Sequence, residues 1–515
     1  MRQWIFLIIV FFACPALYAQ AKQIFVTANG LPVGNCLGGL HTPAWFNDPT
    51  NWGPGSGQIG AGTTVLICGA FVDSTPGDGL LTVQGNGTSE SPITLLFDTN
   101  ASLTNTAYWG TAVLSAGAIY IGSHSWIVVD GGANGLIQNT GNGTGLAYEH
   151  NSSGIGENGG DHITIKNLTI ANICQHTSTS DTVGCVTSGN IDSAITLING
   201  TNLTVQNNVI HDTQEATSLN ASAGNVNFLF TGNRIYRCNW GVGVGIAVAG
   251  TASGIVISNN DISDPANWDS TTDTFHHNGI MVFDSAGGGF SGVVESGNYI
   301  HGDFGLNSTA FIFNADNTAS MTGFYIYNNR LVNDSVAHKP NDGFIYGVPQ
   351  ASFAFNNTIL GSGVNVIGIF LGIGNGANVT IENNLISTAS QFIAAISPIR
   401  QIDYNSYMAT VTSGCASFLY GGGPCSGQAN FAAWKAACSC DAHGAYNASN
   451  SVNSDGTLQA NSPARGAGVN LTSLGIAGLN IGANGVARPA TGAWDVGAYQ
   501  TSPPPPPTNL RGVVR

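Results

Sequence analysis

The stretch LTVQNNVIHD, residues 203–212, decides the fold, because the chain returns to its pattern again and again. In each copy, alternating apolar residues lead into a two-residue turn, and a second short apolar strand follows. The other copies are ITIKNLTIAN (163–172), FLFTGNRIYR (228–237), IVISNNDISD (255–264), VVESGNYIHG (293–302), FYIYNNRLVN (324–333), FAFNNTILGS (353–362) and VTIENNLIST (379–388). Self-similarity of this kind is the signature of a repeat architecture.

The two turn positions differ in the residues that they accept. The first accepts only Asn and Gly, which share an easy left-handed backbone conformation, so we expect positive φ there. Its residues are Asn167, Asn207, Gly232, Asn259, Gly297, Asn328, Asn356 and Asn383. At the second position Gly never occurs, so the side chain itself is required, and we predict a ladder of amides hydrogen-bonded from repeat to repeat. Its residues are Leu168, Asn208, Asn233, Asn260, Asn298, Asn329, Asn357 and Asn384.

The spacing of the copies excludes simple hairpins. Successive first turn positions lie between 25 residues (Asn207 to Gly232) and 40 residues (Asn167 to Asn207) apart, and each interval holds another apolar strand. Two or three short strands in a repeat of this length suit one coil of a parallel β-helix. The sequence therefore predicts an all-β solenoid, a parallel β-helix with Asn-ladder turns and regular coils over about residues 160–400.

Composition and the N-terminus indicate an exported protein that does not bind nucleic acid. Only 13 of the 515 residues are Lys or Arg and the formal net charge is −15, so clustered phosphate contacts are not expected. Arg2, an apolar run from Ile5 to Ala13 and small residues after it predict a signal peptide over residues 1–20, with a membrane anchor as the alternative. We expect no membrane span after signal removal, and a secreted, extracellular or cell-surface location, or else the periplasm.

An exported chain can form disulfides. Removal of Cys14 with the signal leaves nine cysteines, an odd number, so at least one should be free or intermolecular. Cys36 is expected to pair with Cys68, and Cys174 with Cys185. Further pairs are expected among Cys415, Cys425, Cys438 and Cys440, with their connectivity left open.

Over roughly residues 22–500 the chain resembles the right-handed parallel β-helix proteins of the pectate-lyase-like superfamily. GAGTTVLICGAF and SESPITLLFD are similar to the opening coils of the chondroitinase-B and alginate-lyase-like branch, and SPARGAG with ARPATGAWDVGAYQ is similar to the closing segment of many secreted bacterial β-helix proteins. The resemblance implies a β-helix domain at 21–500, with a short helical insertion at about 429–440 and a closing segment at about 460–500. A proline-rich tail follows at 501–515. The resemblance implies a polysaccharide substrate but transfers no individual catalytic residue.

Ionisable side chains concentrate on outward columns just past the turn, where residues one repeat apart become neighbours in adjacent coils. Groups that could move protons or neutralise a carboxylate are candidates for catalysis: Arg234, Arg237, His276, His277 and His301. Candidates for binding sugar rings and acidic groups are Trp268, Tyr236, Tyr299 and Arg330. A calcium ion is the one cofactor considered, and its candidate ligands are Asp261, Asp264 and Asp303.

These residues leave three functions open for an expected monomer. Elimination from a uronic-acid-containing polysaccharide is favoured, because it needs a base and a cation near the sugar carboxylate. Glycoside hydrolysis by a pair of carboxylates is the second possibility, and a non-catalytic glycan-binding surface protein or adhesin is the third.

Glu295 aligns with inward apolar residues, and we interpret this position as a local bulge.

Overall fold

The computed structural model describes residues 22–501, with gaps at 111–116, 181–184, 186–192, 270–275, 285–286, 307, 316–319, 336–337, 339, 341, 362–366, 372–377, 389–390, 396–400, 410–416, 421–430 and 448–450. The predicted signal peptide and nearly all of the proline-rich tail lie outside the described residues. Cys415 and Cys425 also lie outside them.

Short strands joined by tight turns make up most of the described chain. The N-terminal strands are β1 (Lys22–Thr27), β2 (Leu40–His41), β3 (Thr63–Cys68), β4 (Ala70–Asp73), β5 (Leu81–Thr82), β6 (Ile93–Phe97), β7 (Ser102–Asn105), β8 (Ile119–Gly122), β9 (Ile127–Asp130), β10 (Leu136–Asn139), β11 (Ser153–Asn158), β12 (Asp161–Lys166) and β13 (Thr169–Ala171). The central strands are β14 (Ser193–Ile198), β15 (Thr201–Gln206), β16 (Val209–Ala221), β17 (Gly224–Thr231), β18 (Arg234–Ile246), β19 (Gly250–Ser258), β20 (Asp261–Ser263), β21 (His277–Asp284), β22 (Gly288–Ser291), β23 (Val294–Ser296), β24 (Tyr299–Gly302), β25 (Ser308–Ala315), β26 (Tyr325–Tyr327) and β27 (Arg330–Asn333).

The remaining elements complete the solenoid towards its C-terminal end. The strands are β28 (Gly343–Tyr346), β29 (Phe353–Phe355), β30 (Thr358–Leu360), β31 (Ile367–Phe370), β32 (Thr380–Glu382), β33 (Leu385–Thr388), β34 (Gln391–Ala395), β35 (Gln401–Asp403), β36 (Ser406–Ala409), β37 (Ser417–Tyr420) and β38 (Ala445–Asn447). The α-helices among the described residues are α1 (Pro43–Asn47) and α2 (Phe431–Cys438), and α2 falls in the predicted helical insertion. Short 3-10 turns lie at Pro49–Asn51, Pro265–Trp268 and Thr472–Leu474.

Strands pair in parallel with their counterparts in the neighbouring coils. One sheet runs in the order β2-β1-β3-β6-β9-β12-β15-β17-β19-β23-β26-β29-β32-β35, and each pair of neighbours in this order is parallel, including β1 and β2. Inward residues stack in register: Leu203 pairs with Phe228, and Phe228 with Ile255. All three are at most 1% exposed, and burying such a side chain contributes about 1.5–3 kcal/mol. The predicted parallel β-helix is confirmed.

The second turn position forms the predicted amide ladder. Asn208 Nδ2 donates to Asn233 Oδ1 (3.1 Å), and the Asn208 backbone N–H donates to the same oxygen (3.0 Å). Asn233 repeats both bonds towards Asn260, and Asn260 repeats them towards Asn298. The ladder continues to Asn405, whose Oδ1 accepts from Asn384 Nδ2 at 3.0 Å. Asn405 Nδ2 in turn donates to the Ile381 carbonyl, on the strand before the turn of the preceding coil. Each buried amide therefore satisfies backbone groups that the corner of the coil would otherwise leave unpaired.

The first turn position has the left-handed backbone that the Asn/Gly exchange predicts. Asn207 has φ 55°, Gly232 has φ 66° and Asn259 has φ 55°. Tyr404 occupies the same position in the coil of Asn405 and also has positive φ (55°), although tyrosine rarely adopts it. The corner geometry is thus kept even where the preferred residue is absent.

Glu295 points into the solenoid, and the interpretation of a local bulge is wrong. Glu295 pairs in register with Ile257 on one side and with Ile326 on the other, and its side chain is fully buried. Asn314 Nδ2 donates to Glu295 Oε2 at 3.2 Å. Burial raises the pKa of Glu295 to about 7, which favours the neutral acid and lowers the free-energy cost of the inward position.

Disulfides close two surface excursions and the end of α2. Cys36 bonds to Cys68 and Cys174 to Cys185, as predicted, and Cys438 bonds to Cys440. In the described part of the chain, the free cysteine is the buried Cys238. No helix among the described residues is long and apolar enough to cross a membrane.

Residues 451–501, which we call the C-terminal segment, fold back over the last coils. Arg488 in this segment is buried, and its guanidinium donates to Asn328 Oδ1 at 2.9 Å. Asn356 Nδ2 donates to carbonyl groups of the same segment at 3.2 and 3.3 Å. Asn383 Nδ2 donates to the Val469 carbonyl, and Asn383 Oδ1 accepts from the Val469 N–H, both at 2.8 Å. The turn corner of the solenoid is therefore covered from Asn328 onwards.

Candidate functional site

Four ionisable or aromatic residues follow one another on the outer surface just past the turn. Arg234 pairs with Asp261, Asp261 with Tyr299, and Tyr299 with Arg330. They open β18, β20, β24 and β27, so the rigid turn fixes the start of each strand and the coil spacing sets their separation at about 4.8 Å. We call this surface, with the residues two positions further along each strand, the corner face.

His301 lies at the centre of the densest cluster on the corner face. Its ring stacks on Tyr299, with centroids 3.9 Å apart and planes 11° apart. His301 Nε2 lies 2.9 Å from Asp261 Oδ1 on the preceding coil. His301 Nδ1 lies 3.8 Å from Asp334 Oδ2, which also accepts the N–H of Gly302 (3.2 Å). One imidazole is therefore held between two carboxylates that are each about half exposed.

Arg330 closes the cluster on the next coil. Its guanidinium carbon lies 3.9 Å from the centroid of Tyr299, a cation–π contact. Nη1 of Arg330 donates to the hydroxyl of Tyr499 (2.5 Å), which belongs to the C-terminal segment. The arginine is thus fixed by two aromatic side chains while its own side chain stays partly exposed. A fixed, partly exposed guanidinium can bind a carboxylate.

Tyr299 is held in its neutral phenol form. Burial, together with the negative charge of Asp334, raises its pKa above the usual value and outweighs the opposing effect of Arg330. A tyrosine in this state can donate a proton at neutral pH. The cluster therefore combines an imidazole, a phenol and a guanidinium within two coils.

Asp334 and Tyr499 were missed by the sequence analysis. Asp334 lies just beyond the aligned part of its repeat, where the outward columns are no longer in step. Tyr499 lies 169 residues from Arg330, inside a segment whose sequence indicates only a chain closure. No periodic signal brings either residue to the site.

A second cluster lies on earlier coils of the corner face. His211 stacks on Tyr236 (centroids 4.7 Å apart, planes 10° apart), and its Nδ1 lies 2.6 Å from Asp212 Oδ2. Arg237 donates through Nε to Asp212 Oδ1 at 2.8 Å and through Nη2 to Oδ2. The pKa of Asp212 is lowered because the hydrogen bonds from Arg237 and His211 outweigh the cost of burial. Arg234 is exposed, 5.3 Å from the Tyr236 centroid. Arg237 thus neutralises its own chain's carboxylate.

Two of the candidate residues, Trp268 and His277, are completely buried. Trp268 packs on the Cys174–Cys185 disulfide, and its Nε1 donates to the Arg237 carbonyl (3.0 Å). It therefore offers no face to a sugar ring in this structure. His277 Nδ1 lies 2.6 Å from Asn239 Oδ1 and its Nε2 lies 3.0 Å from Asp269 Oδ1. Both ring nitrogens are bound by side chains of the protein itself, so His277 has a structural role.

His276 lies apart from the corner face. Its ring is 5.1 Å from that of Trp240 and 6.2 Å from that of Phe313, on the strands that follow the next bend of the coil. Asn278 Nδ2 lies 2.8 Å from His276 Nδ1. The two neighbouring histidines of the sequence, His276 and His277, therefore do not join His301 in one site.

The three predicted calcium ligands do not converge. Asp264 Oδ1 accepts the backbone N–H of Asp303 at 3.2 Å, and Asp303 Oδ1 lies 2.7 Å from His338 Nδ1. Asp261 contacts His301 instead. Within the described ranges, these aspartates belong to no group of three ligand atoms lying within 4.8 Å of one another. Calcium binding at this site stays a prediction.

A groove extends the corner face towards the N-terminus. Its volume is about 600 Å³, and it is lined by small and amide side chains around the turns: Gly132, Ala133, Asn134, Leu136, Asn167, Leu168, Thr169, Asn207 and Val209. Val209 pairs directly with Arg234, so the groove and the ionisable residues form one continuous strip.

The chain aligns with several solved structures. The chain aligns with pectate lyase Pel9A at 16% identity and a TM-score of 0.43, covering 93% of this chain and 96% of that one. It aligns with an alginate lyase from Paenibacillus sp. str. FPU-7 at 12% identity and a TM-score of 0.31, covering 78% and 99%. A tailspike protein of E. coli bacteriophage HK620, in complex with a pentasaccharide, gives 11% identity and a TM-score of 0.36, covering 75% and 72%. Comparison with protein-family models and with curated protein sequences finds no match.

Proposed function

We propose that this protein cleaves a uronic-acid-containing polysaccharide by β-elimination at the His301 cluster of the corner face. The observation that carries the proposal is the cluster itself. A histidine held between Asp261 and Asp334, a neutral Tyr299 and a fixed Arg330 lie together on a partly exposed surface. The disulfides support action outside the cytoplasm.

His301 is the base in this proposal. Asp261 accepts the proton on Nε2, which fixes the tautomer and leaves the lone pair on Nδ1. Nδ1 removes the proton from C5 of the uronic acid, and the electron pair of that C–H bond forms the C4=C5 double bond. The resulting imidazolium is stabilised by the carboxylate of Asp334, 3.8 Å from Nδ1.

Arg330 and Tyr299 take the other two roles. The guanidinium of Arg330 binds the sugar carboxylate and offsets the negative charge that develops when C5 loses its proton. As the C4–O bond breaks, the leaving oxygen takes the hydroxyl proton of Tyr299, which is a neutral phenol at neutral pH. Solvent returns a proton to Tyr299 and removes one from His301.

Hydrolysis is the second candidate, and Asp334 is the observation that favours it. Asp261 and Asp334 lie on either side of the His301 imidazole, so the cluster holds two carboxylates on one partly exposed surface, and a carboxylate pair is what glycoside hydrolysis needs. In that reaction His301 would orient the two acids rather than act as the base.

Product analysis separates the proposals. The purified protein is incubated with acidic and neutral polysaccharides, and ultraviolet absorbance of unsaturated products is followed together with new reducing ends. Elimination raises both signals, and hydrolysis raises the reducing ends alone. Binding without either signal on every acidic polymer contradicts the enzymatic proposal and favours a glycan-binding protein.

A matched histidine provides the control. His443 stacks on Tyr404 (centroids 4.5 Å apart) and lies 2.9 Å from Asp403, the same local arrangement as His301 but away from Arg330. We expect His301→Ala to lower the rate by about 100-fold or more, as loss of a general base does. His443→Ala should keep the wild-type rate. Equal rates in the two variants would contradict the assignment of His301.

A further inference from the structure

The outward column of the corner face changes abruptly from exposed to buried. From Leu136 through Thr169, Val209 and Arg234 to Arg330, every paired residue of this column is at least partly exposed. The next residue of the same column, Thr358, is fully buried. Leu385 and Ser406, which follow it, are also buried.

The C-terminal segment causes this change. Ala498 N–H donates to Thr358 Oγ1 at 2.8 Å, so the backbone of the segment lies directly on the column. Gly497 N–H donates to the Asn383 carbonyl at 2.7 Å, one coil further on. Gly456 packs between the Thr358 side chain and the ring of Tyr499, where a Cβ would lie 3.1 Å from Thr358 Cγ2 and 3.4 Å from the ring. The segment is therefore an end wall across the corner face.

Tyr499 supports the wall from within. Its ring is almost fully buried, and its hydroxyl accepts from Arg330 and donates to the Asp455 carbonyl at 3.2 Å. Asp455 is exposed beside it, in a turn held by its own bonds to Thr457. The exposed surface of the wall is thus an ordered loop, and the packed ring of Tyr499 supports it from within.

The open part of the column is long enough for several sugar units. Six coil steps separate Leu136 from Arg330, which at ~4.8 Å per step gives a track of roughly 30 Å. The groove around Asn167 and Asn207 lies at the Leu136 end of this stretch, and the column continues past it through Ser102 to Ala70, which are also at least partly exposed. His301 lies on the coil of Tyr299, a single step from Arg330 and the wall.

We propose that this track is closed at the wall and open at the groove, so that the protein acts on the ends of polysaccharide chains and releases one or two sugar units at a time. This inference depends on the proposed function for its chemistry. A chain entering along the track places its terminal units against the C-terminal segment beside Arg330, where Tyr499 supports the exposed turn of Asp455, and the bond next to them then lies over His301. An internal stretch of polymer would have to pass through the wall to reach the same position.

The size of the products tests the inference. Cleavage from chain ends yields mono- or disaccharides from the first turnover, while the viscosity of the polymer solution falls slowly relative to new double bonds or reducing ends. A rapid fall in viscosity with long oligosaccharide products would overturn the closed track and leave the proposed function standing.

Two variants of one residue test the wall itself. Tyr499→Ala removes the ring, and we expect the share of products longer than a disaccharide to rise several-fold. Tyr499→Phe keeps the ring and removes only the hydroxyl, so its product sizes should match those of the wild type. Unchanged product sizes in a folded Tyr499→Ala variant would contradict a wall at this position.

Binding stoichiometry covers the case in which no polymer is cleaved. That result would overturn the proposed function, while end recognition would still predict a fixed number of protein molecules per chain whatever the chain length. Titration of one acidic polysaccharide, fractionated by length, measures this number. Bound protein that increases in proportion to chain length would overturn end recognition as well.

Discussion

Removal of one rung tests whether the amide ladder stabilises the solenoid. Asn260 is 1% exposed, and its Oδ1 accepts from the Asn233 N–H (3.0 Å) and from Asn233 Nδ2 (3.1 Å). Its Nδ2 donates to the Phe230 carbonyl (3.1 Å) and to Asn298 Oδ1 (2.9 Å). Asn298 Oδ1 keeps a partner in Asn260→Ala, because the backbone N–H of residue 260 still donates to it.

Three buried groups therefore lose a partner in Asn260→Ala: two N–H groups of Asn233 and the Phe230 carbonyl. A buried polar group left unsatisfied costs about 1–3 kcal/mol. Allowing for some relaxation, we expect the free energy of unfolding to fall by about 3–5 kcal/mol. Urea titration followed by circular dichroism measures the change, with equal slopes required for the comparison.

The adjacent residue supplies the control. Asn259 is exposed and has φ 55°, a conformation that glycine adopts without strain, so Asn259→Gly should change the free energy of unfolding by less than about 1 kcal/mol. A loss in Asn260→Ala no larger than that in Asn259→Gly would refute the role assigned to the ladder.

Three further predictions follow from buried polar groups. Burial raises the pKa of Glu215 to about 8 from 4.5, so the folded state keeps a proton that the unfolded chain releases. The free energy of unfolding should therefore fall as the pH rises between these values. Glu215→Gln should weaken this pH dependence of the unfolding midpoint. Burial also raises the pKa of the Cys238 thiol, so a thiol reagent should label Cys238 in urea and not in the native protein, as peptide mass analysis would show. Arg488→Met removes the donor to Asn328 and should release the C-terminal segment to limited proteolysis, at a cost of about 3 kcal/mol.

The fold was predictable because the repeat encodes a backbone conformation and a hydrogen-bond donor in adjacent positions. An Asn/Gly exchange identified the positive φ at Asn207 and Gly232, and the amide that follows identified the ladder. The same rule missed Asn405, since Tyr404 precedes it in place of Asn or Gly. It also failed for Glu295, because a carboxyl group in an apolar column is tolerable only when burial keeps it neutral, a property of the packed structure.

The candidate site was less predictable, because column alignment stops at the ends of the repeats. It placed Asp261, Tyr299 and Arg330 together correctly, since these residues occupy equivalent positions of consecutive coils. It could not tell that the excursion holding Trp268 folds onto a disulfide from another excursion. Nor could it bring in Tyr499, whose contact with Arg330 depends on how the C-terminal segment crosses the coils.

The architecture separates the groups that hold the coils together from those that face solvent. Amides such as Asn260 and Asn298 satisfy the backbone from inside the corner, so the corner does not need the side chains that begin each outer strand for its backbone hydrogen bonds. The side chains of Tyr299 and Arg330 are therefore available for catalysis. One coil further on, Thr358 occupies the same column and binds the C-terminal segment that forms the end wall. On this reasoning, the point where the C-terminal segment meets the column determines which coils a ligand can reach, and a change of that point would change the length of the track without touching the core.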